Sequence, residues 1–375
     1  MREVFITADN IFSPLGSTSA ENFEQLTKNM SAVKQQDDRN MSDEPFFASL
    51  FDKNSFTQNN AEGPTSFEQL LIASISDALH NSHVDPQDKK TILIVSSTKG
   101  NIQLLETEEM NDELRERISL QHSAKLIAKQ FHFASEPLVV SNACISGLLA
   151  LVTAMRMLRS GLYNHAVVTG ADIISKFILS GFQSFQAISP TACKPFDSRR
   201  NGINLGEGAA TIILSCDKQT DNDIKITGGA VSNDANHISG PSRTGEELYL
   251  AIDKAIKMSG VTKAEIDFIS AHGTATVYND EMEAKAINLA GLQDVPVNSL
   301  KGYYGHTLGA AGLIESVISL HSMSANMVLP TMGFQETGVS QPLNICSKAE
   351  KKLIKNCLKT ASGFGGCNAA VIFSK

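Results

Sequence analysis

The chain has 375 residues, 42% of them hydrophobic and 19% charged, with a net charge of −8. That apolar content supports a large core, in one big domain or two tightly packed halves, and excludes a disordered chain. The negative charge argues against nucleic acid as a partner, and an acidic macromolecule could dock only on a local basic patch. No apolar run reaches the roughly 18 residues that span a bilayer, and Met1-Arg2-Glu3 leads into the strand-like Val4-Phe5-Ile6-Thr7 with no signal-peptide core. A cytoplasmic protein with no membrane partner is therefore expected. The six cysteines (144, 193, 216, 346, 357 and 367) are scattered, with no C-x-x-C pair and no Cys/His cluster at zinc spacing, so neither a disulfide framework nor a metal site is expected.

In chain order, Val4 to Thr7 reads as a strand and Ser13-Pro14-Leu15-Gly16 as a turn, with Ser19 capping a helix from Ala20 to Lys28. The polar stretch Lys34 to Asp43 reads as a surface loop. Ser66 to His80 has helical periodicity, and Thr91 to Ser96 is a continuous apolar strand of the buried kind. Leu104 to Gln130 interleaves Glu and Arg and reads as one or two solvated surface helices.

The next stretch, Ser141-Asn142-Ala143-Cys144-Ile145-Ser146-Gly147, lies between the apolar run Pro137 to Val140 and the apolar segment Leu148 to Leu158. It reads as strand, tight turn and buried helix, with Cys144 at the crest of the turn. A thiol at a helix start feels the partial positive charge of unpaired N–H groups, which favours thiolate. Taken alone, a cysteine in this setting is about nine times in ten a plain core residue, since free Cys is among the most buried residue types. With the strand Ala166 to Gly170 the segment forms a βαβ unit, which implies parallel strands.

The second half has a similar layout. Strand Pro296 to Ser299 leads into the turn Lys301-Gly302-Tyr303-Tyr304-Gly305-His306 and an apolar helix from Thr307 to about Ser324. Such a weak internal repeat predicts a duplicated fold whose two central helices begin near Cys144 and His306. Further strands are expected at Ile224 to Thr227, Phe268 to Ala271, Leu358 to Ala361 and Ala369 to Phe373.

Four stretches place a chemical residue beside glycines or small residues at an expected strand end: Asn142-Ala143-Cys144, Ala271-His272-Gly273-Thr274-Ala275-Thr276, Lys301 to His306, and Gly363-Phe364-Gly365-Gly366. Each alone is weak, because a histidine after a strand is more often structural, by about three to one, and Gly-rich turns are common. Together and in this order they resemble the β-ketoacyl-acyl carrier protein synthases, elongating-type condensing enzymes of the thiolase-like superfamily. The resemblance extends to Ser13-Pro14-Leu15-Gly16, to Lys194-Pro195-Phe196-Asp197 through Gly208-Ala209, and to Leu308-Gly309-Ala310-Ala311-Gly312 with Glu315.

The resemblance implies an α/β protein of duplicated thiolase-like fold, with two mixed sheets and buried central helices in an α-β-α-β-α arrangement. Residues 1–217 would carry the nucleophile and 218–375 the two catalytic histidines. It implies decarboxylative Claisen condensation: Cys144 is acylated, His272 and His306 drive loss of carbon dioxide from malonyl-acyl carrier protein, and Lys301 orders their hydrogen bonds. The backbone N–H groups of Cys144 and Phe364 would form the oxyanion hole. Thr274, Thr276, Phe364 and Ile145 would contact substrate, with Glu315, Gly365 and Gly366 in support. No cofactor is implied, because phosphopantetheine arrives on the carrier protein. A homodimer formed by edge strands near the nucleophile, or a heterodimer with a related subunit, is implied as well.

The residue types suit the chemistry. A thiol is both a good nucleophile towards thioesters and a good leaving group, and neutral imidazoles can donate hydrogen bonds to an enolate oxygen. The chain departs from the family pattern at Ala8-Asp9-Asn10, Asn142-Ala143, Ile145, Val277 and Ser362, of which Ile145 and Ser362 would line or neighbour the acyl pocket. These departures leave chain length open and bring a specialised pathway, aryl-polyene or other type II polyketide assembly, beside fatty acid synthesis. Two further readings are a non-catalytic partner subunit like a chain-length factor, and a coenzyme A-dependent thiolase-like enzyme. The first usually lacks the nucleophile that this chain has, and the two-histidine arrangement disfavours the second. For docking of an acidic carrier, the candidate cations are Arg115, Arg117, Lys125, Lys129, Arg199 and Arg200.

Overall fold

A computed structural model describes residues 2–52, 55–56, 63–220, 223–235 and 240–375. Eleven strands form the main sheet: β1 (Phe5–Phe12), β2 (Thr91–Ser96), β3 (Leu138–Val140), β4 (His165–Asp172), β5 (Gly208–Ser215), β6 (Lys225–Asn233), β7 (Phe268–Ser270), β8 (Pro296–Asn298), β9 (Asn344–Ile345), β10 (Asn356–Gly363) and β11 (Cys367–Ser374). Their order across the sheet is β9-β8-β7-β10-β11-β6-β1-β5-β4-β2-β3. It consists of two mixed halves, β1 to β5 and β6 to β11, joined where Phe5 pairs with Lys225 and Ile6 and Ile226 exchange hydrogen bonds with Ile224 and Val4. The β-branched and apolar runs of β2, β4 and β5 are buried along their whole length, as strands covered on both faces must be.

Three helical layers cover these faces. The helices Ser146–Arg159 and Ala311–Ala325 pack on each other in the middle, against strands of both halves. Ser66–His80 and Leu120–Gln130 lie outside the first half, Glu246–Ser259 and Val277–Leu289 outside the second. Each layer has its own apolar cluster, the central one being built on residues such as Leu148, Leu151, Met155, Leu313 and Val317. The layered, duplicated arrangement is thus the one expected from the sequence. The two central helices meet backbone to backbone: a Cβ on Gly147 would lie 2.9 Å from Leu313 N, and one on Gly312 would lie 2.8 Å from Leu148 N.

The structure corrects several local readings. The first helix is Ser19–Thr27, capped by Thr18 in a capping box with Glu21, one residue earlier than expected. Lys34–Gln36 is a short strand paired with Phe46–Ser49 rather than pure loop. Leu120–Gln130 is not solvated all round, because Ala124, Ile127 and Ala128 form an apolar stripe that seats it on the core. β3 and β4 are parallel as the βαβ reading requires, but β2 is inserted between them.

Candidate active site

Cys144 sits between β3 and the helix Ser146–Arg159 on a turn that the side chain of Ser146 clamps: its Oγ accepts from Asn142 N at 2.8 Å and donates to Ala143 O at 2.7 Å. Ala143 has φ +44°, a left-handed conformation that costs a residue with a side chain about 1–3 kcal/mol and turns the next one outward. His272 and Thr274 follow β7, His306 follows the turn Lys301–Tyr304, and Phe364 stands at the hairpin between β10 and β11. Left-handed Ala275 and Leu308 shape the turns beside the two histidines. Four loops from four strand ends therefore meet at one place.

There, His306 Nε2 lies 2.9 Å from Cys144 Sγ, and the His272 and His306 rings are 5.1 Å apart and nearly perpendicular. One ligand-type atom from each of Cys144, His272 and His306 lies within 4.8 Å of the others. All three side chains are buried at the floor of a cavity of about 440 Å³, a size typical of small-molecule pockets. Thr274 and Thr276, whose hydroxyls are 2.8 Å apart, line its wall. Phe364 lies at its mouth against Phe182 and Phe185, with ring centroids 5.8 and 5.4 Å away. A larger cavity, of about 920 Å³ beside Ser13–Ser17 and Glu207, contains neither the thiol nor an imidazole.

The electrostatics describe a neutral pair. Burial pushes the Cys144 thiol up to about 12; Cys367 adds to the rise, while Lys301 and a hydrogen bond from the Phe364 N–H oppose it. Burial, then Lys301, then His306 and Lys359 hold His272 well below the ordinary imidazole range, and burial, Lys301 and Lys359 do the same to His306. Desolvation therefore works against the helix start, which favours thiolate. Both shifts favour a neutral thiol facing a neutral imidazole.

The other residues expected at the site fall into place unevenly. Lys301 Nζ is 3.4 Å from His272 Nδ1 and pairs with Glu315. Gly363 and Gly366 are required by close approaches, since a Cβ would lie 2.9 Å from Cys144 N at Gly363 and 2.1 Å from Asp234 O at Gly366. Gly365, with φ +85°, completes the hairpin turn. The Phe364 N–H is directed at Cys144 Sγ, as an oxyanion-hole donor beside the nucleophile would be. Ile145, expected beside substrate, is instead 1% exposed in the central core and does not line the cavity. Arg200 is no docking cation either: its guanidinium donates to the carbonyls of Asp197, Gly338 and Val277, and Arg199 is tied to Asp197 and Gln335.

Several residues of the site were not foreseen. Glu283, on the helix after the His272 loop, accepts from the N–H groups of His272 and Gly273 at 2.8 and 2.6 Å. Asp280, one turn earlier, accepts from Phe196 N and Ala275 N at 2.7 and 3.2 Å. Asp172 holds the ends of β2 and β4 to the second histidine's helix, accepting from Ser97 Oγ at 2.7 Å and Gly309 N at 2.6 Å. The spacing of Asp280 and Glu283, three residues apart just after a Gly-flanked histidine, was the available signal.

The beta-ketoacyl synthase N-terminal domain matches residues 1–220 and the C-terminal domain residues 224–335. The chain belongs to the beta-ketoacyl synthase family. It is 28% identical to the 3-oxoacyl-[acyl-carrier-protein] synthase 2 of Vibrio cholerae over 100% of this chain and 99% of the relative. Among solved structures, it resembles a chain of the ketosynthase complex with its chain length factor from Xenorhabdus doucetiae, with TM-score 0.88 and 23% identity over 100% of this chain and 98% of the other. A chain from a type II PKS acyl-carrier protein complex, with its ketosynthase bound to the hexaketide, gives TM-score 0.86 at 22% identity over 100% and 99% of the two chains.

Proposed function

We propose that the chain is a ketosynthase that condenses an acyl thioester with malonyl-acyl carrier protein to give a β-ketoacyl-acyl carrier protein. The observation that carries this reading is the buried contact of His306 Nε2 with Cys144 Sγ beside His272, at the floor of the cavity that Phe364 caps. In the first step Cys144 Sγ forms a bond to the thioester carbonyl, the thiol proton passes to His306, and the carrier thiol leaves with a proton. In the second, the bond between the malonyl α-carbon and its carboxylate breaks and carbon dioxide leaves. The electron pair is held as an enolate whose oxygen accepts hydrogen bonds from the imidazoles. The α-carbon then attacks the acyl carbonyl, and Cys144 departs as thiolate and is reprotonated. Low-dielectric surroundings strengthen each donor, typically by about 3 kcal/mol towards a developing oxyanion.

The hydroxyls of Thr274 and Thr276 suit the phosphopantetheine arm, and the exposed Lys125 and Lys129 suit an acidic carrier. Fatty acid and type II polyketide assembly both fit this chemistry, and no group other than the carrier's own arm is needed. The partner is a second ketosynthase-like chain. The outer edge of β3, the last strand of the sheet, is unpaired among the described residues and lies next to the nucleophile. The complex of the Xenorhabdus doucetiae ketosynthase with its chain length factor supports a related second subunit. The intact set of Cys144, His272 and His306 favours the catalytic role over the silent one, with the halves dividing near residues 217 and 218. Six unpaired cysteines suit a reducing compartment such as the cytoplasm, and no described helix is long and apolar enough to cross a membrane.

Incubation with acyl- and malonyl-acyl carrier protein tests the reading by mass spectrometry. Acylation at Cys144 and a carrier-bound product two carbons longer are expected; an unmodified Cys144 under all primers, alone or with a copurified partner, would overturn it.

A further inference from the structure

Lys359 lies in the middle of β10, fully buried, in a strand that could have carried an apolar side chain. Its ammonium meets three oxygen atoms. It donates to Ser270 O and Ala271 O, both at 3.2 Å, and pairs with Glu315 Oε2 at 2.6 Å. The other oxygen of Glu315 pairs with Lys301, so one carboxylate bridges two buried ammonium groups. Lys301 in turn reaches His272 Nδ1, and Ala271 is the residue just before His272. Burying a lysine is costly unless all its protons are taken up. Here Lys359 donates to the backbone that carries one catalytic imidazole and forms an ion pair with the carboxylate that would otherwise hold Lys301 alone.

We propose that Lys359 is a positioning residue, a built-in cation that shares Glu315 with Lys301 and pins the Ser270–Ala271 carbonyls. Lys301 then donates to His272 Nδ1, and the His272 proton stays on Nε2. This inference rests on the ketosynthase reading for its effect on rate. The titratable groups packed around Lys359 are Glu315, Lys301, Glu283, the two imidazoles and Cys357 of the same strand. Two lysines and two carboxylates thus share this buried site. Loss of Lys359 leaves Glu315 to Lys301 alone and lifts a positive field from both histidines, so their protonation should begin at higher pH.

The test compares wild type with Lys359→Ala and Lys359→Met. Malonyl-acyl carrier protein decarboxylation should lose at least about tenfold in kcat with KM within about twofold, and its acidic limb should move to higher pH. Ammonium or methylammonium should restore the alanine variant saturably, but not the methionine variant, whose side chain fills the space. A folded variant with wild-type kcat and pH profile, or a loss with an unmoved acidic limb that amines do not relieve, would overturn the proposal. If neither variant folds, ¹⁵N-histidine NMR of the wild type decides: a His272 proton on Nε2 supports the proposal and one on Nδ1 refutes it. A wild type that never decarboxylates malonyl carrier refutes the ketosynthase reading instead, and the NMR measurement still judges Lys359.

Discussion

The neutral state of Cys144 has a measurable consequence. With burial pushing its thiol up to about 12, Cys144 is ionised in roughly three molecules per 10⁵ at pH 7.5, whereas an ordinary thiol near 8.5 is roughly one-tenth ionised. The deficit in thiolate is about 3000-fold. The more basic thiolate is also the more reactive, by about 40-fold for a Brønsted slope near 0.45, so alkylation should run roughly 80-fold slower than for a free thiol. The assay is iodoacetamide labelling of Cys144, read by peptide mass spectrometry between pH 6 and 10. The expected rate rises about tenfold per pH unit with no plateau across that range. A plateau near pH 7 would show a resting thiolate and refute the reasoning, because the pair with His306 would then be ionic.

Two other predictions follow from the same geometry. His272→Ala removes one enolate donor, so decarboxylation should fall by about 150-fold, the equivalent of about 3 kcal/mol, while Cys144 acylation, which uses His306, is preserved; equal loss of both steps would contradict the division of roles. Asp280 is raised by burial from 3.8 to about 7, so the folded state takes up its proton first and the associated stability is lost as pH rises through 7. Between pH 6 and 8.5 that loss is about 1.4 kcal/mol, and urea unfolding of Asp280→Asn should show a correspondingly flatter pH dependence; an unchanged slope would refute it.

What the sequence made legible was whatever a turn or a period marks. Cys144, His272, His306 and Phe364 each stand beside small or glycine residues at a strand end, because a reactive side chain exposed at a crest needs a backbone that bends sharply. The apolar periods of Ser66–His80 and of the two central helices marked their burial equally well. Hidden from it were charges that the fold buries. Lys359 in a strand, and Asp280 and Glu283 on a helix, carry no sequence mark of the burial that β10 and the His272 loop give them. Ile145 failed for the same reason: one step past the crest of the turn, its side chain faces the core rather than the cavity. The pull of the helix start on Cys144 is a local effect visible in sequence, whereas the opposing desolvation depends on the whole surrounding structure.

The central claim is that Cys144 holds the acyl group while the imidazoles release carbon dioxide from the second substrate. Single-turnover mixing of pre-acylated enzyme with malonyl-acyl carrier protein tests it most directly. Acyl-Cys144 should disappear at the same rate as carbon dioxide and β-ketoacyl carrier product appear. An acyl-Cys144 that persists while malonyl carrier is present, or carbon dioxide release with no transfer of the acyl group, would contradict the account.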